Sequence, residues 1–396
     1  MISVSQALAY INDNRIEQPS ETVSLNAALG RVLSKPVTAT LTQPPLSASA
    51  MDGYAVKLDD VKTAGATLTV IGEAPAGSPF KGAVSTGQAV RIFTGGAVPN
   101  GANTVIIQEN VTRNGDTITV NEPQDAARHI RHAGIDFLKG DQLIAAGTRL
   151  GPSELLVAAA AGHGTLSVKR RLNVAILSNG NELVTPGEPV GTGQIVNANP
   201  TALAALIAQW GGVPHILPTA RDSVDSILKS LSAASDADII VPVGGASVGD
   251  HDHMRGAFTH AGLSMIFEKV AVRPGKPTWF GALSRQRVLG LPGNPASAVV
   301  CAHLFLKPLL GVHTPILTAR LDTPLGSNGP RESYLRAVAS FNNSGQLCVS
   351  ALPAQDSGLM SPFLKANALL RLSPGQSAQK AGESVEIIQI GDFAAV

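Results

Sequence analysis

The sequence predicts a multidomain protein centred on an α/β domain with a doubly wound parallel sheet. Strand-like and helix-like runs alternate between residues 171 and 314, which is the pattern of βαβ units. Short Val, Ile and Thr runs separated by glycine turns fill residues 54–125, so a β-rich unit precedes this domain. Short strand-like runs separated by turns occur again after residue 315. At roughly 100–200 residues per domain, the 396-residue chain has room for about two to four such units.

The segments on either side of the first β-rich unit have helical texture. Apolar residues recur at helical spacing from Val4 onwards and predict helix over residues 2–33. A second helix is expected within residues 147–168, with Pro152 in its first turn. We therefore predict a small α-rich domain interrupted by an inserted β-rich domain. The predicted boundaries are 1–40 and 138–170 for the α-rich domain, and 41–137 for the insertion.

The elements of the α/β domain, residues 171–314, follow in regular order. Asn199, Asp222 and Asn294 are the expected caps of its helices, with proline next in two cases. Strands are expected in RLNVAILS, VPHILPTA, ADIIVPV, MIFEKVAV and VLGL, and helices in NPTALAALIAQWGG, DSVDSILKSLSAAS, HMRGAFTHAG and PASAVVCAHLFLKPLL. Residues 315–396 form a small C-terminal β domain, with strands expected in ILTARLDTPL, SYLRAVAS, QLCVSAL, ALLRLSPG and SVEIIQIG.

The composition excludes several classes of protein. Lys and Arg number 30 against 29 Asp and Glu, without a basic run of the kind that binds nucleic acid or an acidic membrane. The two cysteines, Cys301 and Cys348, lie far apart, which argues against a thiolate metal site and fits a reducing compartment. The first residues lack the pattern of a signal peptide, and no run of about 20 apolar residues occurs. We expect a soluble, cytoplasmic protein.

Four loops follow strands of the predicted sheet and could hold a ligand. They are NGNELV, GGASVGDHDH, RPGKP and PGNP. Because ligands of open parallel sheets bind outside the carboxyl ends of the strands, we expect all four loops to open on one edge. The glycines offer backbone N–H groups, Arg273 and Lys276 offer two cations, and the helix after PGNP offers its N-terminus. The edge therefore favours an anionic ligand.

Carboxylates accompany these loops and suggest a metal ion. Glu182, Asp250 and Asp252 beside an anion site fit Mg²⁺, which bridges carboxylates and phosphate oxygens. Asp250 and Asp252 fit helix capping equally well. His251 and His253 lie two residues apart at a helix start, where their side chains would diverge, so the loop fits Mg²⁺ better than a zinc site.

Longer motifs give the chain a family resemblance. SASAMDGYAV, RIFTGGAVPNGANTVI, RHAGIDFLKGDQLIAAGTRL, ILSNGNELVTPGE, GQIVNANP, VGGASVGDHD, VRPGKP and LPGNPASA occur in this order. With these motifs the chain resembles the molybdopterin molybdenumtransferases, the MoeA family, which includes the E domain of gephyrin. The resemblance covers nearly the whole chain, although the final 80 residues match in texture only.

The resemblance implies a fold, a reaction and partners. It implies an elongated homodimer of four-domain subunits, with a third domain similar to molybdopterin adenylyltransferases. The active cleft would lie between the third domain of one subunit and the second domain of the other. The implied reaction is Mg²⁺-dependent insertion of molybdate into adenylylated molybdopterin with release of AMP. A molybdopterin adenylyltransferase is the implied donor of the substrate.

The resemblance also implies the site residues. The catalytic positions would be Asp52, Thr94, Asp136, Glu182, Asp222, Asp252, Arg273 and Lys276. Positions binding the cofactor would be Gly244, Gly245, Ser247, Gly249, Arg273, Lys276, Pro292, Gly293, Asn294 and Pro295. Glu182, Asp250 and Asp252 would hold the metal.

Three positions depart from the usual family pattern. Asn181 stands where the family usually has an acid, Ser223 follows Asp222 where a second acid is common, and Arg273 replaces a lysine. Arginine keeps the charge and adds bidentate oxyanion binding, whereas Asn181 removes a carboxylate beside Glu182. A relative that binds the cofactor without inserting metal is therefore one alternative, and a molybdopterin adenylyltransferase is another.

Overall fold

The computed structural model describes residues 1–244 and 253–395. The predicted site residues Gly245, Ser247, Gly249, Asp250 and Asp252, together with His251, lie outside the described residues. The chain divides into two compact units. One unit is Pro19–Lys169, and the other joins Met1–Gln18 to the chain from Arg170 onwards.

The first helix, α1 (Val4–Asp13), belongs to the larger unit. Its buried Val4, Ala7 and Ile11 pack in the same core as residues of the α/β sheet. The prediction of helix is therefore wrong for most of residues 14–33. Residues 1–18 also do not belong to an α-rich domain, as was predicted, but to the larger unit. The physical reason is that exposed and half-buried residues alternate over Ser20–Ser24, and this segment pairs as a strand.

The unit 19–169 is largely β-structure. Strand β1 (Ser20–Ser24) pairs antiparallel with β12 (Thr165–Lys169), and β2 (Val37–Thr38) pairs with β11 (Gln142–Ile144). The one α-helix among the described residues of this unit is α2 (Pro152–Ala160). The helix predicted over 147–168 is thus confined to nine residues, although Pro152 does begin it. The other strands are β3 (Ala48–Ser49), β4 (Gly53–Val56), β5 (Thr67–Ala74), β6 (Gln88–Ile92), β7 (Thr104–Ile107), β8 (Val111–Asn114), β9 (Thr117–Val120) and β10 (Ile130–Arg131).

The predicted inserted β-rich region contains a six-stranded sheet. Its order is β7-β4-β6-β5-β9-β8, and β3 pairs separately with β10. Alternate residues of the central strands face two apolar clusters. Tyr54 and Val56 lie in one, and Ala55 lies in the other with Val90 and Ile92. This two-sided burial explains the continuous apolar runs in the sequence.

The α/β domain is built on a second six-stranded sheet, in the order β16 (Val213–Ile216), β13 (Asn173–Ser178), β17 (Ile239–Val243), β21 (Gln286–Gly290), β20 (Trp279–Leu283) and β18 (Ser264–Phe267). Val174 and Ile176 of β13 face one core, whereas Ala175 and Leu177 face another, so helices cover both sides as predicted. The strands of this domain outside the sheet are β14 (Leu183–Val184), β15 (Ile195–Val196) and β19 (Val272–Arg273). The helices are α3 (Asn199–Gln209), α4 (Val224–Ala233), α5 (His253–His260), α6 (Pro295–Cys301) and α7 (Lys307–Leu309), with a π-helical segment at Ala302–Leu306 between the last two.

Part of this sheet differs from the expected parallel arrangement. Strands β16, β13, β17 and β21 are parallel, but β20 pairs antiparallel with both β21 and β18. The hairpin from β20 to β21 turns at Ser284, which has a φ of 54°. The segment MIFEKVAV is not one strand. Its first residues form β18, and β19 instead pairs with β23 (Glu332–Phe341) of the C-terminal domain.

The C-terminal domain is a β domain, as predicted, and six of its strands join β19 of the α/β domain in a seven-stranded sheet. The remaining strands are β22 (Ile316–Leu321), β24 (Leu347–Ala351), β25 (Ala368–Leu372), β26 (Ser384–Gln389) and β27 (Ala394–Ala395). Alternating residues of these strands, among them Leu321, Val349 and Ile387, fill its core. Within the described part of the chain, no helix has the length and apolarity needed to span a bilayer.

Candidate functional site

A crevice of about 510 Å³ opens at the carboxyl ends of the parallel strands. We call it the strand-end crevice. Among the residues that the structure describes, its lining is rich in amide side chains and includes one carboxylate, that of Glu182. The lining residues are Ser178, Asn179, Glu182, Leu183, Ile195, Asn197, Asn199, Val243, Gly244, Pro277, Pro292, Gly293 and Asn294. Five predicted positions therefore meet here, namely Glu182, Gly244, Pro292, Gly293 and Asn294.

Close backbone approach shapes the floor of this crevice. Gly244 has a φ of +96°, and a Cβ on Gly293 would lie 3.3 Å from the Gly244 Cα. The positive φ disfavours a side chain at Gly244, and the close approach disfavours one at Gly293, so glycines at both positions let the loops after β17 and β21 come together. The glycine-rich start of the predicted cradle, as far as Gly244, is thus placed at the crevice.

Asn294 and Pro295 begin α6, but not through a side-chain cap. Asn294 is the N-cap residue by backbone position, and Pro295 is in the first turn. The Asn294 side-chain amide instead donates to Ser357 Oγ at 2.9 Å. Asn199 was also predicted as a cap; it is the first residue of α3, and its Nδ2 donates to the Gly293 carbonyl at 2.7 Å. Both amides therefore tie loops of the site together.

Asp222 does not cap α4, contrary to the sequence prediction. The N-cap is Ser223, whose hydroxyl accepts from the Ser226 amide. The Asp222 carboxylate accepts from Asn179 Nδ2 at 2.7 Å and from the Asn181 backbone N–H at 3.1 Å. It therefore binds the loop that presents Glu182 to the crevice.

Arg273 and Lys276 line a second cavity of about 350 Å³. We call it the cationic cavity. It lies between the α/β domain and the C-terminal domain, because β19 pairs with β23. The lining residues are Arg273, Pro274, Gly275, Lys276, Pro277, Ser297, Arg331, Tyr334, Leu335, Gln355, Asp356 and Ser357. The four loops were expected to open on one edge; RPGKP lines this separate cavity, which adjoins the crevice because Pro277 lines both.

Arg331 is a third cation of this cavity that the sequence did not predict. It follows the GSNGP segment in the C-terminal domain, and its Nη1 donates to the Val272 carbonyl at 3.4 Å. No spacing relates it to RPGKP, since 57 positions separate it from Pro274. Only the pairing of β19 with β23 brings these cations together.

A buried thiol supports the turn that carries Arg273 and Lys276. Thr278 Oγ1 donates to the Gly275 carbonyl at 2.7 Å and lies 3.2 Å from Cys301 Sγ. Burial raises the pKa of the Cys301 thiol to about 12, so it stays protonated and packs as a neutral group. Cys301 thus has a packing role beneath the turn.

In the unit 19–169, the predicted site residues Asp52 and Thr94 form a hydrogen-bonded pair. The Thr94 backbone N–H and hydroxyl both donate to Asp52 Oδ1, at 2.7 and 2.8 Å. These hydrogen bonds, the backbone one first, lower the pKa of Asp52, and the charge of Arg91 lowers it further. Asp136 is exposed in the loop that follows Ile130–Arg131, and its backbone N–H donates to the Gln43 carbonyl at 3.2 Å.

Comparison with known proteins places the chain in a family. Three family models match it: MoeA N-terminal region (domain I and II) over residues 2–162, probable molybdopterin binding domain over 175–311, and MoeA C-terminal region (domain IV) over 318–390. A molybdopterin molybdenumtransferase of Nostoc sp. is 34% identical over 390 residues, which cover 94% of this chain and 89% of that protein. The chain belongs to the MoeA family of molybdopterin molybdenumtransferases.

Other members agree with this placement of the MoeA-family chain. The molybdopterin molybdenumtransferase of Haemophilus influenzae is 34% identical, with 98% of each chain covered. A structure of the molybdopterin biosynthesis MoeA protein from Pyrococcus horikoshii matches with a TM-score of 0.82 and 29% identity, covering 98% of this chain and all of that one. The predicted multidomain architecture is thereby confirmed.

The Asp52–Thr94 pair of this MoeA-family chain allows a direct test by titration. Thr94→Val removes the hydroxyl donor but keeps the backbone N–H, so the pKa of Asp52 should rise part of the way to its usual value. Thr94→Ser keeps both donors and should leave the pKa low. Since the folded-state pKa is depressed, any stability from the pair is present above about pH 4 and is lost as the pH falls. NMR titration of the Asp52 carboxyl carbon measures the shift; equal pKa values in the two variants would refute the hydroxyl's role.

Proposed function

We propose that the chain inserts molybdate into adenylylated molybdopterin, in a Mg²⁺-dependent reaction that releases AMP. The observation that carries this proposal is the pair of cavities that share Pro277, one lined by cations and the other by amides and a carboxylate. The cationic cavity has three cations and one carboxylate, that of Asp356, whereas the described lining of the crevice has one carboxylate and no cation. Two adjoining sites that differ in charge suit two reactants, an oxyanion and a metal-bound phosphoanhydride. Both cysteines are free thiols, which supports a reducing compartment, and we infer the cytoplasm.

The cationic cavity suits molybdate. Arg273, Lys276 and Arg331 supply positive charge, and guanidinium groups bind oxyanions through paired N–H donors. The hydroxyls of Ser297 and Ser357 face the same cavity and can donate to further oxygens. A tetrahedral dianion would therefore find charge and hydrogen-bond donors together.

The strand-end crevice suits the adenylylated substrate. Among the described residues, no group of three or more His, Cys, Asp or Glu side chains is arranged to hold a metal ion. Mg²⁺ bound through substrate phosphates and water requires only one or two protein carboxylates, so Glu182, with the Asn197 amide in the same lining, fits that mode. When bound there, Mg²⁺ would neutralise charge on the anhydride.

The contribution of the protein is positioning and electrostatics. Arg273 and Lys276 would hold molybdate next to the crevice across Pro277, and Glu182 would hold the Mg²⁺ that neutralises the anhydride at the strand ends. The cations also stabilise negative charge that moves to the bridging and leaving oxygens as the anhydride opens. Preorganised charges of this kind are the main catalytic device in phosphoryl chemistry.

Anaerobic turnover tests the proposal. Purified protein is mixed with adenylylated molybdopterin, molybdate and Mg²⁺, and the release of AMP and the formation of active cofactor are followed. We expect both products from the native chain, with activity lost on chelation of Mg²⁺. Absence of both products would refute the proposal.

Asn181 favours a second candidate, a relative that binds the cofactor without inserting metal. The Asn181→Asp variant is therefore assayed in parallel with the native chain. Activity only in the variant would support the binding-only candidate. Consumption of ATP with molybdopterin would instead identify an adenylyltransferase, and we expect none; we infer that such an enzyme supplies the substrate.

We also propose a homodimer whose active site combines the Asp52–Thr94 pair of one subunit with the crevice of its partner. Mixing inactive Asp52→Asn and Glu182→Gln chains then rebuilds intact sites in half of each mixed dimer, so activity should return to about a quarter of the native value. If all site residues came from one chain, mixed dimers would contain no intact site and the mixture would stay inactive. Mixtures with Asp225→Asn in place of Asp52→Asn control for simple dilution.

A further inference from the structure

We infer that Asp222 is a positioning residue, whose carboxylate holds residues 179–182 so that Glu182 faces the strand-end crevice. The inference rests on the proposed function for its activity readout. It assigns Asp222 an indirect role, through the backbone and side chains of one loop, in place of contact with the metal or the reacting groups.

Both carboxylate oxygens of Asp222 are engaged by this loop. Oδ1 accepts from Asn179 Nδ2 at 2.7 Å, and Oδ2 accepts from the Asn181 N–H at 3.1 Å. The Asp222 N–H donates in return to Asn181 Oδ1, at the longer distance of 3.4 Å. A carboxylate that already accepts two N–H bonds from one loop is well suited to fix that loop.

Backbone contacts complete the connection between the two segments. The Gly180 N–H donates to the Ala220 carbonyl at 3.2 Å, and Asn179 forms a parallel bridge with Ala220. Residues 179–181 are therefore fastened to residues 220–222 along their whole length. Helix α4 does not depend on Asp222, because Ser223 caps it.

The conformation of the loop decides where the Glu182 carboxylate lies. Gly180 has a φ of +152°, and a Cβ at this position would lie 2.8 Å from Glu182 Oε2 and 2.9 Å from Glu182 Oε1. The carboxylate thus rests directly over the Gly180 backbone. Any shift of Gly180 away from Ala220 would move the one carboxylate that lines the described part of the crevice.

The side chains of the loop match a carboxylate at position 222. Asn179 presents an amide donor to it, and Asn181 presents a neutral acceptor to its backbone N–H. An acid at either position would place a second negative charge beside Asp222. A single carboxylate therefore pairs with N–H donors. The carboxylate and the amide can in principle trade places between positions 222 and 179.

The exchange of the two side chains gives the test. Asp222→Asn leaves an amide facing the Asn179 amide, so we expect turnover to fall about 10–100-fold, as for loss of a group that orients a ligand. Hydrogen exchange of the 179–183 backbone should accelerate. The double variant Asp222→Asn with Asn179→Asp restores one donor and one acceptor between the side chains, and it should recover both the slow exchange and most of the turnover.

Two further variants complete the experiment. Asp225→Asn, an exposed acid in the first turn of α4, is the matched control and should change neither readout. Asn179→Ala keeps the Asp222 carboxylate but removes its donor, so it should loosen the loop and slow turnover. Turnover that stays low in the exchanged pair despite restored protection would overturn the inference, as would native turnover in Asn179→Ala with a loosened loop. A native chain without activity would refute the proposed function alone, because hydrogen exchange still reports whether Asp222 fixes the loop.

Discussion

Replacing Gly275 by alanine is expected to destabilise the chain and to disable the cationic cavity. Gly275 has a φ of +118°, and a Cβ at this position would overlap Cys301 Sγ and lie 3.3 Å from Val272 Cγ1. A positive φ costs an L-residue roughly 1–2 kcal/mol, and overpacking a core adds about 1–3 kcal/mol. Because Gly275 lies between Arg273 and Lys276, the same strain displaces both cations, and a displacement of about 1 Å can reduce turnover about 100-fold.

Thermal unfolding and the molybdate dependence of turnover measure the two effects. Gly311→Ala is the matched control, since Gly311 has a φ of +80° but open space where the Cβ would be. It should therefore show the backbone cost without the steric one. Adding Cys301→Ala to the Gly275→Ala chain removes the overlapping sulfur and should recover part of the stability. A Gly275→Ala chain no less stable than Gly311→Ala would contradict the packing described here.

Lys276→Gln is expected to slow catalysis strongly. Lys276 lines the cationic cavity, and loss of one preorganised donor to developing negative charge costs about 10²–10³ in rate. The loss should take the form of weaker molybdate binding together with slower turnover. The structure should hold, because Lys276 is exposed.

Steady-state kinetics with varied molybdate test this expectation. Lys380→Gln removes an exposed lysine of the C-terminal domain that does not line either cavity, and it should behave as the native chain. Lys276→Arg keeps the charge and should retain more activity than Lys276→Gln, although the two cations differ in geometry. Native molybdate dependence in Lys276→Gln would place the oxyanion elsewhere.

The sequence predicted the elements of the α/β and C-terminal domains well because their periodicity is strong. It failed where short segments depend on distant partners. The strand Ser20–Ser24 exists because it pairs with Thr165–Lys169, and local propensity carries no sign of that pairing. The hairpin at Ser284 was missed for a different reason, since its turn lacks the usual Asn-Gly or Asp-Gly signal.

The motifs predicted the part of the candidate site that lies at the strand ends. Glu182, Gly293 and Asn294 follow strands and meet at the strand ends, as the general rule for such sheets requires. Arg331 was not predictable, because a strand pairing between domains brings it to Arg273. Asp222 was assigned a cap from its position before a helix, but the adjacent Ser223 takes that role and leaves the carboxylate to the Asn179 loop.

The division of the chain into two units has a consequence for its synthesis on the ribosome. Val4, Ala7 and Ile11 of α1 are buried against residues that emerge at least 160 positions later, such as Leu172 and Val174. The unit Pro19–Lys169 is complete in sequence before those partners are made, and its ends pair with each other through Ser20 and Lys169. Domains generally fold as units during synthesis. The nascent chain would therefore fold the internal unit first. Until the α/β sheet forms, the apolar face of α1 would stay exposed to solvent and open to binding by a chaperone.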